Sequence, residues 1–388
     1  IHQAVESLTE LVLNAFTRRM PDGGTLHIED IQDQVELALM RNGEQKVARA
    51  YVLYREERSR ERAADTKINL ENQEKTDPLN LSVTRVDGAK RPLDMARLNL
   101  IVTEACEGFP GVETKAVIKE IQNNLFDGID EIDVAKALVM SARTLIEQDP
   151  DYSYVAAGLL MDQLRQEALT FIEGKKTQAT QKEMEERYQD YFQKYIERGA
   201  ELELLDRELT KYDLNRLSKA LNPDGDRQFT YLGLQTLYDR YFIHSTDIRF
   251  ELPQAFFMRV AMGLAINELD RNQRAIEFYE LLSSFNFMSS TPTLFNSGTR
   301  RPQLSSCYLT TVPDDLDGIF GAMKDNALLS KWAGGLGNDW SPVRALGSYI
   351  KGTNGKSQGV VPFLRVADDT AVAVNQGGKR KGAMCAYL

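Results

Sequence analysis

The sequence has 388 residues, with 47 Lys+Arg against 57 Asp+Glu and a formal net charge of −10. Its length predicts about two to three domains, and its acidic balance argues against general binding to nucleic acid or a membrane surface. No apolar run approaches the roughly 18 residues of a membrane helix, and no secretory signal pattern opens the chain, so a cytoplasmic protein is expected.

Residues 1–66 carry helical periodicity. Val5, Leu8, Leu11, Val12 and Phe16 form one stripe, and Ile28, Ile31, Val35, Leu37 and Leu39 a second after the turn at 20–25. A third helix is expected over 45–62. Residues 63–80 are polar and aperiodic, and the linker between domains is placed at 67–80. Leu81, Val83 and Thr84, followed by Asp87-Gly88, predict a strand and a hairpin. Helices are expected over 93–107, 114–124, 131–148 and 152–171. An acidic turn, an amphipathic helix, a loop and an Ala-rich helix occur twice, offset by roughly 105 residues. This reads as a duplicated small domain whose first copy lacks its opening hairpin.

Residues 173–283 are mostly helical and charged. Tyr188, Tyr191, Phe192 and Tyr195 recur at helical spacing and read as a core-facing stripe. From 284 onward Gly and Pro rise. A strand at 307–312, a helix at 316–333, a β-like run at 345–350 and a further segment at 360–374 suggest an α/β domain with mainly parallel strands. The apolar run at 383–388 reads as a buried strand. Both ends look cut, Ile1 within a helical pattern and Leu388 within a strand.

Cys106, Cys307 and Cys385 are far apart, which argues against a disulfide framework. With His2, His27 and His244 they give no zinc-ligand spacing. Cys307, in Ser305-Ser306-Cys307-Tyr308-Leu309, reads either as a buried core thiol or as a redox thiol. The run from Ser290 to Thr299 is rich in hydroxyls; it reads either as a turn or as a binding loop for phosphate or hydroxyl groups. Gly334-Gly335-Leu336-Gly337-Asn338-Asp339, Lys351-Gly352-Thr353-Asn354-Gly355-Lys356 and Gly377-Gly378-Lys379-Arg380-Lys381-Gly382 read as loops that let backbone and cations approach a phosphorylated ligand.

QLSSCYL, AGGLGNDW, VRALGSYIKG and NQGGKRKGA, in that order, resemble the large (α) subunit of aerobic class I ribonucleotide reductase. VTRVDGAKRPLD resembles the opening hairpin of that subunit's regulatory ATP-cone, and the duplication resembles the two-cone architecture of some bacterial enzymes. The resemblance implies an α/β fold in which helical ATP-cones and a helical region precede the first part of a ten-stranded barrel. The domains would be a partial first cone at 1–66, a second cone at 81–172, a helical region at 173–283 and the barrel start at 284–388.

The resemblance also implies an activity: ribonucleoside diphosphates reduced to their 2′-deoxy forms by a thiyl radical and a redox cysteine pair. Cys307 matches the first cysteine of that pair. Thr291, Ser306 and Gly335 match substrate-contacting positions. Asp314, Arg344, Lys351, Gln376 and Arg380 match an allosteric specificity site for deoxynucleoside triphosphates. No covalent cofactor or metal is implied for this subunit. Its effectors would be ATP, dATP and other deoxynucleoside triphosphates. Its partners would be a metal-containing radical-generating β subunit, further copies in a homodimer or higher oligomer, and thioredoxin or glutaredoxin as reductant. The remaining catalytic residues would lie past Leu388, so the chain alone is expected to be inactive.

The second cone departs from the pattern. Arg85-Val86 replaces the usual Lys-Arg, Glu131 stands for a nucleotide-contacting Thr, and Gln166 for a Lys. It is expected to bind no nucleotide and to act as a spacer. Two other readings compete with the aerobic enzyme. ATP-cone repressors carry a zinc ribbon of two CxxC pairs, which these cysteines cannot make. Anaerobic glycyl-radical reductases share the barrel, but the motif wording favours the aerobic class.

Overall fold

The computed structural model describes residues 81–85, 88–332, 334–374 and 382–388, together with scattered helical positions between residues 8 and 51. The chain forms two compact units, Ile1–Asn80 and Leu81–Leu388. In the first, Phe16, Ala38 and Leu39 are buried, as the helical periodicity requires. The linker expected at 67–80 lies outside the described residues.

The second unit opens with the expected hairpin. β1 (Ser82–Thr84) pairs antiparallel with β2 (Lys90–Pro92), and Gly88 takes the positive φ of 79° that the reversal needs. α1 (Met95–Cys106) is capped by Asp94, whose carboxylate accepts from the Arg97 amide. α2 (Thr114–Asn124) leads to β3 (Ile129–Asp130), which joins β1 in parallel. α3 (Glu131–Thr144) stops earlier than the expected 148, because turns through Pro150 lead directly into α4 (Tyr152–Glu173). α4 ends at Gly174, with φ 68°.

α5 (Gln181–Glu201) starts with a reciprocal capping box between Thr180 and Glu183. Its aromatic stripe is fully core-facing: Tyr188, Tyr191, Phe192 and Tyr195 are buried. α6 (Leu214–Ala220), α7 (Tyr231–Arg240) and the short hairpin of β4 (His244–Ser245) and β5 (Ile248–Arg249) lead to α8 (Pro253–Ala265). α8 is buried on almost every side, and α9 (Arg271–Ser283) packs on it. One apolar cluster runs without interruption from Val83 to Leu294 and holds these elements together.

A smaller cluster around Val312, Ile319, Met323, Trp340 and Ala367 supports the last part of the chain. There β6 (Cys307–Thr311), β7 (Gly335–Asp339) and β10 (Met384–Tyr387) form a parallel sheet in the order β10-β7-β6. α11 (Leu316–Ser330) connects the first two strands and α12 (Val361–Ala373) precedes the third. This is the βαβ arrangement that the alternation predicts.

Three local expectations are corrected. The glycine-rich run expected as a loop at 334–339 forms the middle strand β7 from Gly335 onward. Its glycines answer to crowding: a Cβ on Gly337 would meet Leu309 Cδ2 at 2.7 Å and Tyr387 Cε2 at 3.1 Å. The β-like run at 345–350 shrinks to β8 (Tyr349–Ile350), which pairs with β9 (Gly355–Lys356), because Gly347 turns the chain with φ 83°. The strand at the chain end forms but is not buried; β10 lies at an edge of the described sheet, and Cys385, Ala386 and Tyr387 are exposed.

Candidate active and effector sites

β6 and β7 bring three of the predicted residues together. Their register sets Cys307 opposite Gly335. The Gly335 amide donates to the Ser306 carbonyl at 2.7 Å, and Ser306 Oγ lies 3.6 Å from Cys307 Sγ. A Cβ on Gly335 would stand 3.3 Å from Ser306 O and 3.7 Å from Cys307 Sγ, so the missing side chain leaves the flank of the thiol open. Cys307 is exposed. Among the described residues β6 is an outer strand of its sheet, and its alternate residues face outward.

Thr291 begins α10 (Thr291–Asn296), so the hydroxyl-rich run is a short helix with a turn behind it. Thr291 Oγ1 is 3.3 Å from Tyr241 Oη. The helix is tied to the approach to Cys307: Thr293 Oγ1 donates to the Leu304 carbonyl at 3.1 Å and Asn296 Nδ2 to the Gln303 carbonyl at 2.8 Å. Other hydroxyls hold the turn itself, Ser297 Oγ donating to Val260 O and Thr299 Oγ1 to Asn296 O, each at 2.7 Å.

The α10 helix rests on a buried ion pair that the sequence reading missed. Arg259 Nε donates to Glu251 Oε1 at 2.7 Å, and neither side chain is exposed. The same guanidinium donates to the carbonyls of Ser297 at 2.6 Å and Leu294 at 3.2 Å, at the C-terminal end of α10. Glu251 also accepts from the Tyr195 hydroxyl and, at 2.8 Å, from the Ile243 amide. Removing one member of such a pair costs about 3–5 kcal/mol, because the other charge stays buried. Local sequence gives no sign of it: Arg259 sits in a mostly apolar helix, eight residues after its partner in a loop.

Asp314, three residues past the end of β6, meets Arg344. The Arg344 amide donates to Asp314 Oδ1 at 3.0 Å, and its Nε lies 3.0 and 2.9 Å from the two carboxylate oxygens. The Arg344 side chain and then its amide hold the Asp314 carboxyl below its ordinary range. Both side chains remain about one-third exposed. Arg344 lines a cleft of about 520 Å³ with Trp340, Val343, Leu346, Val360 and Val361. The pair thus presents a carboxylate that can accept from a hydroxyl beside a cation that can meet a phosphate. Lys351 is exposed in the turn between β8 and β9. Gln376 and Arg380 lie outside the described residues.

Family models match three stretches: the ATP cone domain over residues 2–60, the all-alpha domain of ribonucleotide reductase over 227–302, and the barrel domain of ribonucleotide reductase over 305–388. Over its whole length the chain is 45% identical to the ribonucleoside-diphosphate reductase subunit alpha of Chlamydia muridarum, covering 37% of that protein. It is 38% identical to the subunit alpha of Helicobacter pylori over 79% of the chain, covering 38% of that relative. It is 33% identical to the large chain of Schizosaccharomyces pombe, again over 79% of the chain and 37% of the relative. The chain belongs to the ribonucleotide reductase large-subunit family. It spans little more than a third of the length of these relatives.

In ribonucleotide reductase terms, the β10-β7-β6 sheet is the start of the barrel domain. The all-alpha match contains α8 with Arg259 and α10 with Thr291. The two matches meet between residues 302 and 305, just ahead of Ser306 and Cys307. Thr293 and Asn296, whose side chains bind the Gln303–Leu304 backbone, therefore join the two domains at the thiol.

Proposed function

We propose that the chain is the N-terminal part of the catalytic, allosterically regulated subunit of a ribonucleotide reductase, which converts ribonucleoside diphosphates to 2′-deoxyribonucleoside diphosphates. The observation that carries this reading is the exposed Cys307 beside Ser306 and the side-chain-free Gly335, at the start of a barrel-domain sheet. Cys307 is one thiol of a redox pair whose second member lies further along the barrel. In each turnover both thiols give up hydrogen and close to a disulfide, the 2′-hydroxyl leaves as water, and the 2′-carbon gains hydrogen. The initiating thiyl radical is generated by a metal-containing partner subunit. Thioredoxin or glutaredoxin resets the disulfide. Thr291 and Ser306 hold the substrate where the backbone at Gly335 allows close approach.

Asp314, Arg344, Lys351, Gln376 and Arg380 form the specificity site for a deoxynucleoside triphosphate at a subunit interface of a homodimer or larger assembly. Residues 1–66 and 81–172 are two cones, of which the first senses ATP and dATP. Residues 173–283 and 284–388 are the helical region and the first part of the ten-stranded barrel.

The test is one turnover of the full-length protein with its radical-generating partner and a nucleoside diphosphate, without external reductant. Peptide mapping should then find Cys307 in a new disulfide. A Cys307 that stays reduced while deoxynucleotide forms overturns the reading.

A further inference from the structure

Tyr241 touches the helix that carries Thr291 at two points. Its hydroxyl oxygen lies 3.3 Å from Thr291 Oγ1, at the first position of α10. Its ring stacks on Phe295, with centroids 4.4 Å apart and planes 25° from parallel. Residues four apart share one face of a helix, so one tyrosine spans a full turn of α10. A single contact would let so short a helix roll about its axis; two contacts set the roll. Phe256 of α8 meets the Tyr241 ring edge-on, with centroids 6.5 Å apart. Phe256 and Phe295 are buried, whereas Tyr241 and Thr291 remain partly accessible.

Tyr241 is itself firmly placed. It follows directly on α7, and its amide donates to the Leu237 carbonyl at 2.9 Å. Three residues earlier, the Tyr238 hydroxyl donates to Glu167 Oε2 of α4 at 2.8 Å. The Arg249 amide of β5 donates to Oε1 of the same carboxylate at 2.5 Å, and the Arg249 guanidinium covers the Tyr238 ring at 4.5 Å. The end of α7 is thus pinned to α4 and β5, and Tyr241 meets α10 from a fixed base.

A hydroxyl has one proton to give and two lone pairs to accept with, and a phenol is the more acidic and so the better donor of this pair. Among the described residues the Thr291 hydroxyl has no other hydrogen-bond partner. On the reading that Thr291 holds the substrate, we propose that Tyr241 is a positioning residue for it. The Tyr241 hydroxyl donates to Thr291 Oγ1 and so turns the threonine's own proton outward, toward an oxygen of the nucleoside diphosphate. Without that donor the Thr291 hydroxyl turns freely and the substrate itself must fix it. Binding then weakens, while the chemistry at Cys307, on a different element, keeps its rate.

Tyr241→Phe removes the hydroxyl and keeps both ring contacts, so the thermal midpoint should not move. In the full-length protein, assayed with its radical-generating partner and CDP, KM should rise about 3- to 10-fold, the worth of one neutral hydrogen bond. The kcat should stay within about twofold, and equilibrium dialysis of CDP should show the same loss as KM. Thr291→Ala should weaken CDP binding by about 10-fold or more, the worth of a bond to a charged group. Adding Tyr241→Phe to Thr291→Ala should cost nothing further, because a residue that acts through Thr291 has nothing left to act on. A Tyr241→Phe penalty that persists in the Thr291→Ala background, or that falls on kcat in place of KM, overturns the role of Tyr241. So does an unchanged KM in Tyr241→Phe while Thr291→Ala still weakens binding, an outcome that leaves the reading of Thr291 standing. Unchanged CDP binding in Thr291→Ala overturns that reading, and the role of Tyr241 with it.

Discussion

Arg344 holds Asp314 three ways, through its backbone amide at 3.0 Å, through Nε on both carboxylate oxygens and through Nη2, which donates to the Asp314 carbonyl at 3.3 Å. The backbone contact fixes where the carboxylate points, and the arginine side chain lines the cleft beside Trp340 and Leu346. A pair that is one-third exposed contributes little to stability. Its value lies in presenting two opposite charges in fixed register.

Arg344→Ala is therefore expected to leave the thermal midpoint nearly unchanged. It should weaken deoxynucleoside triphosphate binding to the full-length protein by about 1.5–3 kcal/mol, the loss of a hydrogen bond to a charged group. Titration calorimetry with dTTP checks this. Unaltered dTTP affinity would remove Arg344 from the effector site.

Cys307→Ser should abolish nucleotide reduction in the full-length protein, by roughly a thousandfold or more, since no other group at that position can carry electrons. Folding should be unaffected, as the thiol is exposed. Alkylation followed by mass spectrometry gives a second check: Cys307 and Cys385 should react readily, whereas Cys106 is buried, and burial raises its thiol above the ordinary value.

Two helix glycines should respond to alanine in opposite directions. At Gly263, in α8, a Cβ would fall 2.0 Å from the Gly298 amide nitrogen and 2.4 Å from Ser297 Oγ, so α8 and the turn behind α10 would have to separate. Gly263→Ala should destabilise by about 2–3 kcal/mol and disturb the thiol region through α10. At Gly321, in α11, the same atom meets nothing, and Gly321→Ala should stabilise by about 0.5–1 kcal/mol. Urea denaturation of both variants decides the matter, and a neutral Gly263→Ala would show that the contact yields.

Asp226 predicts a pH dependence. It is buried, accepts from the Tyr188 hydroxyl at 2.7 Å and from Gln254 Nε2 at 2.8 Å, and burial raises its carboxyl from 3.8 to about 6. A folded pKa above the unfolded one means that the folded state prefers the protonated acid. The contribution is then fully present below about pH 4 and is lost as the pH rises through about 6, a difference of about 3 kcal/mol. Asp226→Asn removes that titration. The stability gap between variant and wild type should therefore shift in the variant's favour by about 1–3 kcal/mol from pH 4 to pH 7, as read from urea midpoints. A gap that does not change with pH would contradict the assignment.

Much of the architecture follows from local pattern. The hairpin of β1 and β2, the helix at Thr114–Asn124 and the buried stripe on α5 come from turn chemistry and helical spacing, which neighbours in the chain decide. Cys307 and the hydroxyl-rich run at 290–299 are legible as residue types, whereas Asp314 and Arg344 enter only through the family resemblance that the ordered motifs carry. Tertiary contacts decided what these signals could not. Gly335 and Gly337 look like part of a loop until Ser306 and Cys307 are seen beside the first and Leu309 and Tyr387 beside the second; only then do they read as the middle strand. Cys307 reads as core or surface from its sequence, and among the described residues it is exposed on an outer strand. The Arg259–Glu251 pair and the gathering of Arg85, Arg91 and Lys176 around Glu131 join residues from separate elements. The physical reason is common to all of them: secondary structure is set by neighbours a few residues apart, whereas burial, charge pairing and close backbone approach depend on which distant segments the fold brings together.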